Sequence, residues 1–496
     1  MKGGKIMALD EHHTVKTQGV KRQLKTRHLS MIAIGGSIGT GLFVASGSAI
    51  STAGPGGALV AYVGIGLMVF FLMTSLGEMA TYLPVSGSFS TYATRFVDPA
   101  FGFAMGWNYW FNWAITLAVD VSTAALIMRF WVPQIPGWIF SVFFLLIIFA
   151  LNALTVKAFG EAEYWFSIIK VITVIAFIII GILTIFGILG GHYYGLSNFT
   201  YKEAPFVGGV PAILAMFVIA GFSFQGTELI GITAGESKTP EKSIPKAIKT
   251  IFWRILLFYI LAIAIIAAII PYTSPDLLGG SETNVAMSPF TLIFKNAGLA
   301  MAAGVMNAII LTSVLSAGNS GMYASTRMLM AMGQSGQAPR RMGRVNKRGI
   351  PMNALIFTGI VAGLALLTSI LGPQVYLYLV AASGLTGFIA WIGIAVSHYR
   401  FRRAYKLQGH SLDELKYKAK WFPLGPILAL VLCILVIVGQ DLASFAKWDI
   451  QAILVTYMSI PLFLFCYFFY KIKHKTKLIP LEKVDLEKTV VVTDEK

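Results

Sequence analysis

The amino-acid sequence predicts an all-α integral membrane protein with twelve transmembrane helices. Three observations predict it: an apolar composition, a succession of apolar stretches of spanning length, and basic residues gathered in the loops of one side. Hydrophobic residues fill 56% of the 496 positions and charged residues only 12%, about half of the roughly 25% that covers a soluble domain. Mean hydropathy is +0.73. The formal net charge of +17 does not point to nucleic acid, because the Lys and Arg residues cluster between apolar segments. Cys433 and Cys466 are the two cysteines, too few for a disulfide framework or a metal site.

Residues 1–28 form a polar N-terminal tail in which Lys21, Arg22, Lys25, Arg27 and His28 precede the first apolar run. No short apolar core with a small-residue cleavage site occurs there, so a retained first helix and no signal peptide are expected. A helix crosses about 30 Å of hydrocarbon with about 20 apolar residues. Such stretches run over 29–50, 56–81, 101–131, 137–156, 161–189 and 208–235. They continue over 247–271, 299–331, 353–371, 375–399, 422–440 and 450–470. The run 286–297, with Lys295, is too short and mixed to span and is expected to be interfacial. After Lys471 the tail alternates Lys with Glu and Asp and is expected to be solvated and loosely ordered.

One side carries the N-terminal tail, Lys238, Lys242, Lys246, Lys249, the cluster 340–348, the cluster 400–420 and the C-terminal tail. The opposite side has little beyond Arg129, Lys202 and Lys447. Basic loops stay cytoplasmic, so both termini are expected inside a cytoplasmic membrane.

Two spans are interrupted. The first carries Gly35-Gly36-Ser37-Ile38-Gly39-Thr40-Gly41 and the sixth carries Gly221-Phe222-Ser223-Phe224-Gln225-Gly226-Thr227-Glu228. Each glycine costs about 1 kcal/mol relative to Ala in a helix interior, and unwound backbone in a membrane persists only where it is buried or lines a cavity. Close helix packing through small residues accounts for either segment alone. It accounts less well for polar residues in both gaps and for a separation of five spans. Five is odd, so spans one to five and six to ten run oppositely, and matched interruptions in inverted halves point to a midplane site. The half-helix beginning near Gly39–Leu42 presents N–H groups to an anion, and carbonyls at the sixth-span break accept from an ammonium. A zwitterionic amino acid supplies both ends.

At these residues the chain resembles the amino acid–polyamine–organocation superfamily, and within it the bacterial amino-acid permeases. The likeness rests on Met31-Ile32-Ala33-Ile34, Ser75-Leu76-Gly77-Glu78-Met79-Ala80, Pro84-Val85-Ser86-Gly87-Ser88-Phe89, 222–236, and Ser243-Ile244-Pro245-Lys246-Ala247. It covers 22–472. GWNYW at 106–110, GEAEYWFSIIK at 160–170, SAGNSGMYASTRML at 316–329 and GLTGFIAW at 384–391 resemble the permeases that carry lysine. The resemblance implies a LeuT-like fold of two inverted five-helix repeats, 29–189 and 208–399, with two additional helices, 422–470, and a C-terminal tail, 471–496. It implies alternating access driven by a proton gradient without a cofactor, and L-lysine, protons and the lipid bilayer as partners. A regulatory membrane partner is left open. Carried over to matching positions, the substrate carboxylate meets the amides of Ser37, Ile38, Gly39, Thr40 and Gly41. The α-ammonium meets carbonyls around Ala33, Ile34, Phe222 and Ser223, and Phe222 or Phe224 packs over the ligand.

Ionisable groups inside the membrane cost at least about 2.5–3.5 kcal/mol, so each is a functional candidate. Trp113, Thr116 and Asp120 share one face of the third span, with Tyr109 one turn below. Asp120 is the first candidate for the substrate's ε-ammonium, against a structural alternative of a protonated carboxyl bonded between helices. Glu228 is the second candidate, for counter-charge, proton carriage or stabilising the break. Lys170 lies about three turns, roughly 16 Å, into the fifth span. By the resemblance it replaces the cation that sodium-coupled relatives hold, and it is the candidate proton site; snorkelling is the alternative. Ser316, Asn319, Ser320 and Tyr323, with Ser383 and Thr386, recur at helical spacing and are site-lining or interhelical glue. Glu78, Glu161, Glu163 and Glu236 fall near basic loops and are expected in surface ion pairs. Arg327 has no assigned role. No nucleophile–base pair, metal-ligand set or phosphate loop is present, so an enzyme is not expected. A permease for another amino acid and a membrane sensor are the rival readings.

Overall fold

A computed structural model describes residues 22–488 apart from 276, 278–287, 300–301 and 364–372. Among these residues the chain is helical throughout, with one isolated bridge between Leu24 and Ser237. Helix α1 (Thr26–Gly35) ends at Gly36, and after a break a π-helical turn (Gly41–Ala45) leads into α2 (Ser46–Tyr82). Gly54, at φ 74° and followed by Pro55, divides that long run where the first and second apolar stretches meet. Helix α3 (Ser88–Phe96) precedes α4 (Pro99–Met128), which Asp98 caps by accepting from the Ala100 amide with Pro99 in the first turn. Then come α5 (Gly137–Ala153) and α6 (Val156–Ile185), the latter capped by Thr155.

The sixth stretch folds as α7 (Gly209–Phe224) and α8 (Leu229–Thr233), followed by a 3₁₀ turn (Ala234–Glu236). Next are α9 (Pro240–Arg254), α10 (Ala262–Ile269) after a π-helical turn, α11 (Pro289–Asn296), and α12 (Ala302–Gln334). The chain closes with α13 (Met352–Ala362), α14 (Pro373–Leu407), α15 (Leu424–Gly439), α16 (Leu442–Lys447), α17 (Ile450–Tyr457) and α18 (Ser459–His474).

Among the described residues, five helical runs are long and apolar enough to cross a membrane: Gly41–Tyr82, Pro99–Met128, Val156–Ile185, Gly209–Glu236 and Leu424–Lys447. The pair α17–α18, bent by 58°, has the same character. Helix α4 is the hub, packed most extensively on α12 and α14, while α1 lies on α6 and α2 on α7. Its sequence shows why: almost every face of α4 is buried, whereas α5 and α15 leave broad apolar faces exposed, as lipid-facing helices do.

The segment expected to be too short to span forms the eight-residue α11, whose Pro289–Phe294 are buried, with Phe290 between Phe43 and Phe177 at 4.8 and 4.1 Å; residues 286 and 287 lie outside the described residues. One expectation is corrected. The tail after Lys471 is not loose over 475–488. Ile479 N–H donates to Val97 O at 2.9 Å, Tyr82 Oη to Leu486 O at 2.6 Å, and Arg95 pairs with Asp485 at 2.7 Å. Val484 and Leu486 are buried beneath these bonds. Residues 1–21 and 489–496 of the expected tails lie outside the described residues.

Candidate functional site

Both interruptions are breaks in the backbone, and they touch. Helix α1 remains helical through Gly35, residues 36–39 leave helical geometry, and helix resumes at Thr40. In the sixth stretch the non-helical residues are 225–228, with Gly226 at φ 97°. The breaks are therefore narrower than the motifs 35–41 and 221–228 that contain them. Gly221 stays helical because it serves close packing: a Cβ there would run into the Phe388 ring. At the contact of the breaks, a Cβ on Gly226 would collide with the Gly36 carbonyl and lie 2.9 Å from the Ser37 nitrogen.

Beside that contact is a small cavity. Gly36, Ser37, Gly39, Thr40 and Gly41 line it from the first break, and Phe222 and Gln225 from the second. Trp113, Thr116 and Asp120 come from α4 and Ala317 from α12. Asp120 is 2% exposed; its Oδ1 accepts from the Thr40 hydroxyl at 2.8 Å, while Oδ2 has no partner among the described residues. A buried carboxylate oxygen left unpaired is costly, so a cationic group in the cavity has a waiting acceptor. Thr116 bonds to Asn112 O at 2.7 Å and to the Ser383 hydroxyl at 2.6 Å. Gln225 Nε2 donates to Ser383 O at 3.1 Å, which fixes its place in the wall. Ser383 thus stands behind the lining, holding Thr116 and Gln225.

Several other expected site residues lie elsewhere, and Ser37, though in the lining, has its own polar atoms engaged. Ala33 and Ile34 remain within α1. The Ile38 amide donates to Ile34 O at 3.1 Å and its side chain is fully buried, so Ile38 does not present its N–H to the cavity. Ser37 Oγ donates to Ile34 O at 3.0 Å, and Tyr259 Oη holds Ser37 O at 2.8 Å. Phe224 stacks on Tyr259 at 4.0 Å and Ser223 bonds Tyr62 Oη at 2.9 Å, leaving Phe222 as the aromatic at the cavity.

Tyr109 Oη donates to Glu228 Oε1 at 3.3 Å. Glu228 also accepts from the Gly226 amide at 3.1 Å and from Trp391 Nε1 at 3.4 Å. It closes the break instead of facing the cavity. Tyr323 is drawn away too: its hydroxyl donates to Glu236 Oε2 at 2.6 Å and its ring stacks on Phe159 at 4.2 Å. Ser320 is fully buried and outside the lining.

Lys170 is fully buried on α6, and its ammonium donates to Gly35 O, the last carbonyl of α1. A cation at a helix C-terminus satisfies the negative dipole end. Glu163, expected at the surface, is fully buried: Ser316 Oγ donates to its Oε2 at 2.8 Å and Asn319 Nδ2 to its Oε1 at 2.5 Å. Glu236, also expected at the surface, pairs with Arg327 at 2.6 Å, both buried. Glu78 likewise is buried and is bonded by Arg402 and by the Ala419 amide at 2.7 Å. Their partners arrive from helices distant in sequence, which is why proximity to a basic loop misled. Glu161, in contrast, does pair with Arg27 at 2.5 Å on a partly exposed surface.

Sequence reasoning missed Gly36, Gln225 and Ala317 as lining residues. The first two lie within the interrupted motifs, which was the available signal; Ala317 carried none.

The amino acid permease family matches residues 28–481 of the chain. The lysine-specific permease of Lactococcus lactis is 59% identical over 491 residues, covering 98% of this chain and 96% of that protein. The lysine-specific permease of Escherichia coli is 58% identical over 475 residues, 95% and 97% of the two chains. The histidine permease of Lactococcus lactis is 58% identical over 470 residues, 95% and 98%.

Proposed function

We propose that this chain, which belongs to the amino acid permease family, imports L-lysine together with protons by alternating access. The chain is a multi-pass membrane transporter and not an enzyme. The observation that carries the lysine reading is Asp120. Its Oδ2 is buried at the cavity without a partner among the described residues, and a desolvated ε-ammonium needs such an acceptor, since an unpaired buried charge costs several kcal/mol. Trp113 lines the same wall and is placed to cover the methylene stem. The substrate carboxylate is taken to lie at the backbone of Gly39, Thr40 and Gly41, where helix restarts and N–H groups gather, and the α-ammonium at the opposing break beside Phe222.

The architecture that goes with this reading is twelve spans, with inverted five-helix repeats over 29–189 and 208–399 and two further helices over 422–470. Both termini face the cytoplasm of a cell whose inner membrane holds the protein. Matched breaks in α1 and α7 support the inversion, and the basic loops support the orientation. Lys170 is the proton site: as an ammonium it holds Gly35 O, and loss of its proton would release the lower part of α1. Glu228 acts by holding the sixth-stretch break.

A second reading has a specific basis. A relative named as a histidine permease matches about as well as those named for lysine, and an imidazolium also satisfies Asp120. Counterflow of labelled lysine in proteoliposomes, competed with histidine, arginine and neutral amino acids, decides between them. Exchange blocked best by unlabelled lysine supports the proposal; exchange blocked best by histidine transfers it to the second reading.

A further inference from the structure

We infer that Glu163 is the group through which Lys170 hands its proton toward the cytoplasm, a second member of the coupling machinery; the inference rests on the proton-coupled reading above. Glu163, Ser167 and Lys170 stand at i, i+4 and i+7 on α6, one face of a helix, and all three are fully buried. That face meets the last turn of α1. Ser167 Oγ donates to Met31 O at 2.8 Å, Lys170 donates to Gly35 O, and a Cβ on Gly35 would lie 3.3 Å from Glu163 Oε2. Gly35 therefore borders both the ammonium and the carboxylate.

On its other flank Glu163 is held by α12 through Ser316 and Asn319, and Asn319 in turn accepts from Asn152 Nδ2 of α5 at 2.8 Å. Toward Lys170, α4 presents the Asp120 carboxylate and α6 presents Glu163. Toward Glu163, α6 presents Lys170, and α12 presents a hydroxyl and a carboxamide. A carboxylate in this setting, bonded only by neutral donors, is poorly compensated for its lost water.

Glu163 also lies seven residues, about 10 Å, nearer than Lys170 to the start of α6 at Val156, the end proposed as cytoplasmic. When the lower part of α1 withdraws to open the cytoplasmic path, Lys170 loses the Gly35 carbonyl. One N–H bond of the ammonium then breaks, its electron pair staying on nitrogen, and the proton passes to water admitted by that withdrawal; the water in turn delivers a proton to Glu163, where an O–H bond forms. The separated charges become a neutral amine and a neutral acid, and the acid releases the proton to cytoplasmic water.

The test uses the purified full-length protein in proteoliposomes that trap a pH-sensitive dye, with labelled lysine added outside. Wild-type protein that admits lysine without protons overturns the coupling reading itself and this inference with it. With coupling present in the wild type, Glu163→Gln is expected to lower the ratio of protons to lysine, because proton release then slows by roughly the hundredfold that loss of a proton-transferring group costs while lysine exchange continues. Glu163→Asp should restore part of the ratio. An unchanged ratio in Glu163→Gln overturns the inference while leaving Lys170 coupling intact. Should Glu163→Gln fail to reach the membrane, Ser316→Ala/Asn319→Ala carries the test. Removing both donors from the carboxylate should move the pH of half-maximal coupled uptake upward by about one unit, and an unmoved pH overturns the inference.

Discussion

Gly226 and Gly36 are packed backbone to backbone, so that the two interrupted helices meet at a point where no side chain fits. Gly226 adopts φ 97°, a conformation other residues rarely take, and a Cβ there would strike the Gly36 carbonyl. Gly226→Ala is expected to abolish lysine uptake and to lower the melting temperature of the purified protein. Strain at such a position costs about 1–3 kcal/mol, and the backbone collision adds to it. Unaltered melting and uptake in that variant would show that the breaks need not touch.

Gly39 gives a separate test of the cavity. A Cβ on it would approach only Ala317 Cβ, at 2.8 Å, and Gly39 lines the cavity wall. Gly39→Leu should fill the space proposed for the substrate carboxylate while leaving the contact of the breaks untouched. Lysine uptake should vanish, with the protein still present in the membrane by immunoblot. Normal uptake by Gly39→Leu would place the carboxylate elsewhere.

The breaks were legible in sequence because glycine and polar residues inside apolar spans have few structural uses; close packing, the chief alternative, applies to Gly221 within helix and to Gly226 at the break itself. The cavity face of α4 was legible from the spacing of Trp113, Thr116 and Asp120. Glu163 was misplaced because its distance from the span end was weighed and its face was not. Ser167 and Lys170, four and seven residues on, were the signal. The Glu236–Arg327 pair joins residues 91 apart, and no local pattern announces such a partner. Phe222 and Phe224 could not be told apart, because which one faces the ligand depends on how the chain leaves α7. In the tail, alternating charge hid Val484 and Leu486, the two apolar anchors that dock it.

Lys170 holds Gly35 O at the end of α1. Lys170→Ala removes both the cap and the proposed proton site. Accumulation of lysine against its gradient, driven by an inward proton gradient, should be lost, while binding measured by lysine-dependent thermal stabilisation persists. A variant that still concentrates lysine under the same gradient would assign coupling to another group, with Glu228 the next candidate.

Arg327 and Glu236 form a fully buried ion pair, with the guanidinium 4.6 Å over the Tyr323 ring. Breaking such a pair from one side leaves an uncompensated charge and costs about 3–5 kcal/mol, whereas replacing both partners costs much less. Arg327→Met should therefore lower the melting temperature more than the double variant Arg327→Met/Glu236→Gln. A double variant as unstable as the sum of its two singles would show that the pair contributes no coupling.

Specificity turns on the distal charge that separates lysine from neutral amino acids. In the occluded state that ammonium loses its water, and Asp120 offers the one carboxylate among the residues lining the cavity. Thr40 fixes Oδ1 at 2.8 Å, which leaves Oδ2 for the ligand. Asp120→Asn keeps the shape of the side chain and an oxygen able to accept from Thr40, but it removes the charge. Truncating one partner of a buried charged pair costs about 2–5 kcal/mol, so lysine affinity should fall roughly 30-fold or more at the lower bound. Neutral amino acids should then compete better against the variant than against the wild type, because the unpaired carboxylate no longer penalises an apolar side chain. Arginine carries the same sign of charge on a wider, planar head, so any wild-type discrimination against it comes from the shape of the wall around Trp113 and should survive the substitution. Competition binding on the purified variant reads all three outcomes. If Asp120→Asn binds lysine as the wild type does, the ε-ammonium is held elsewhere, and the Gln225 carboxamide becomes the acceptor to remove next.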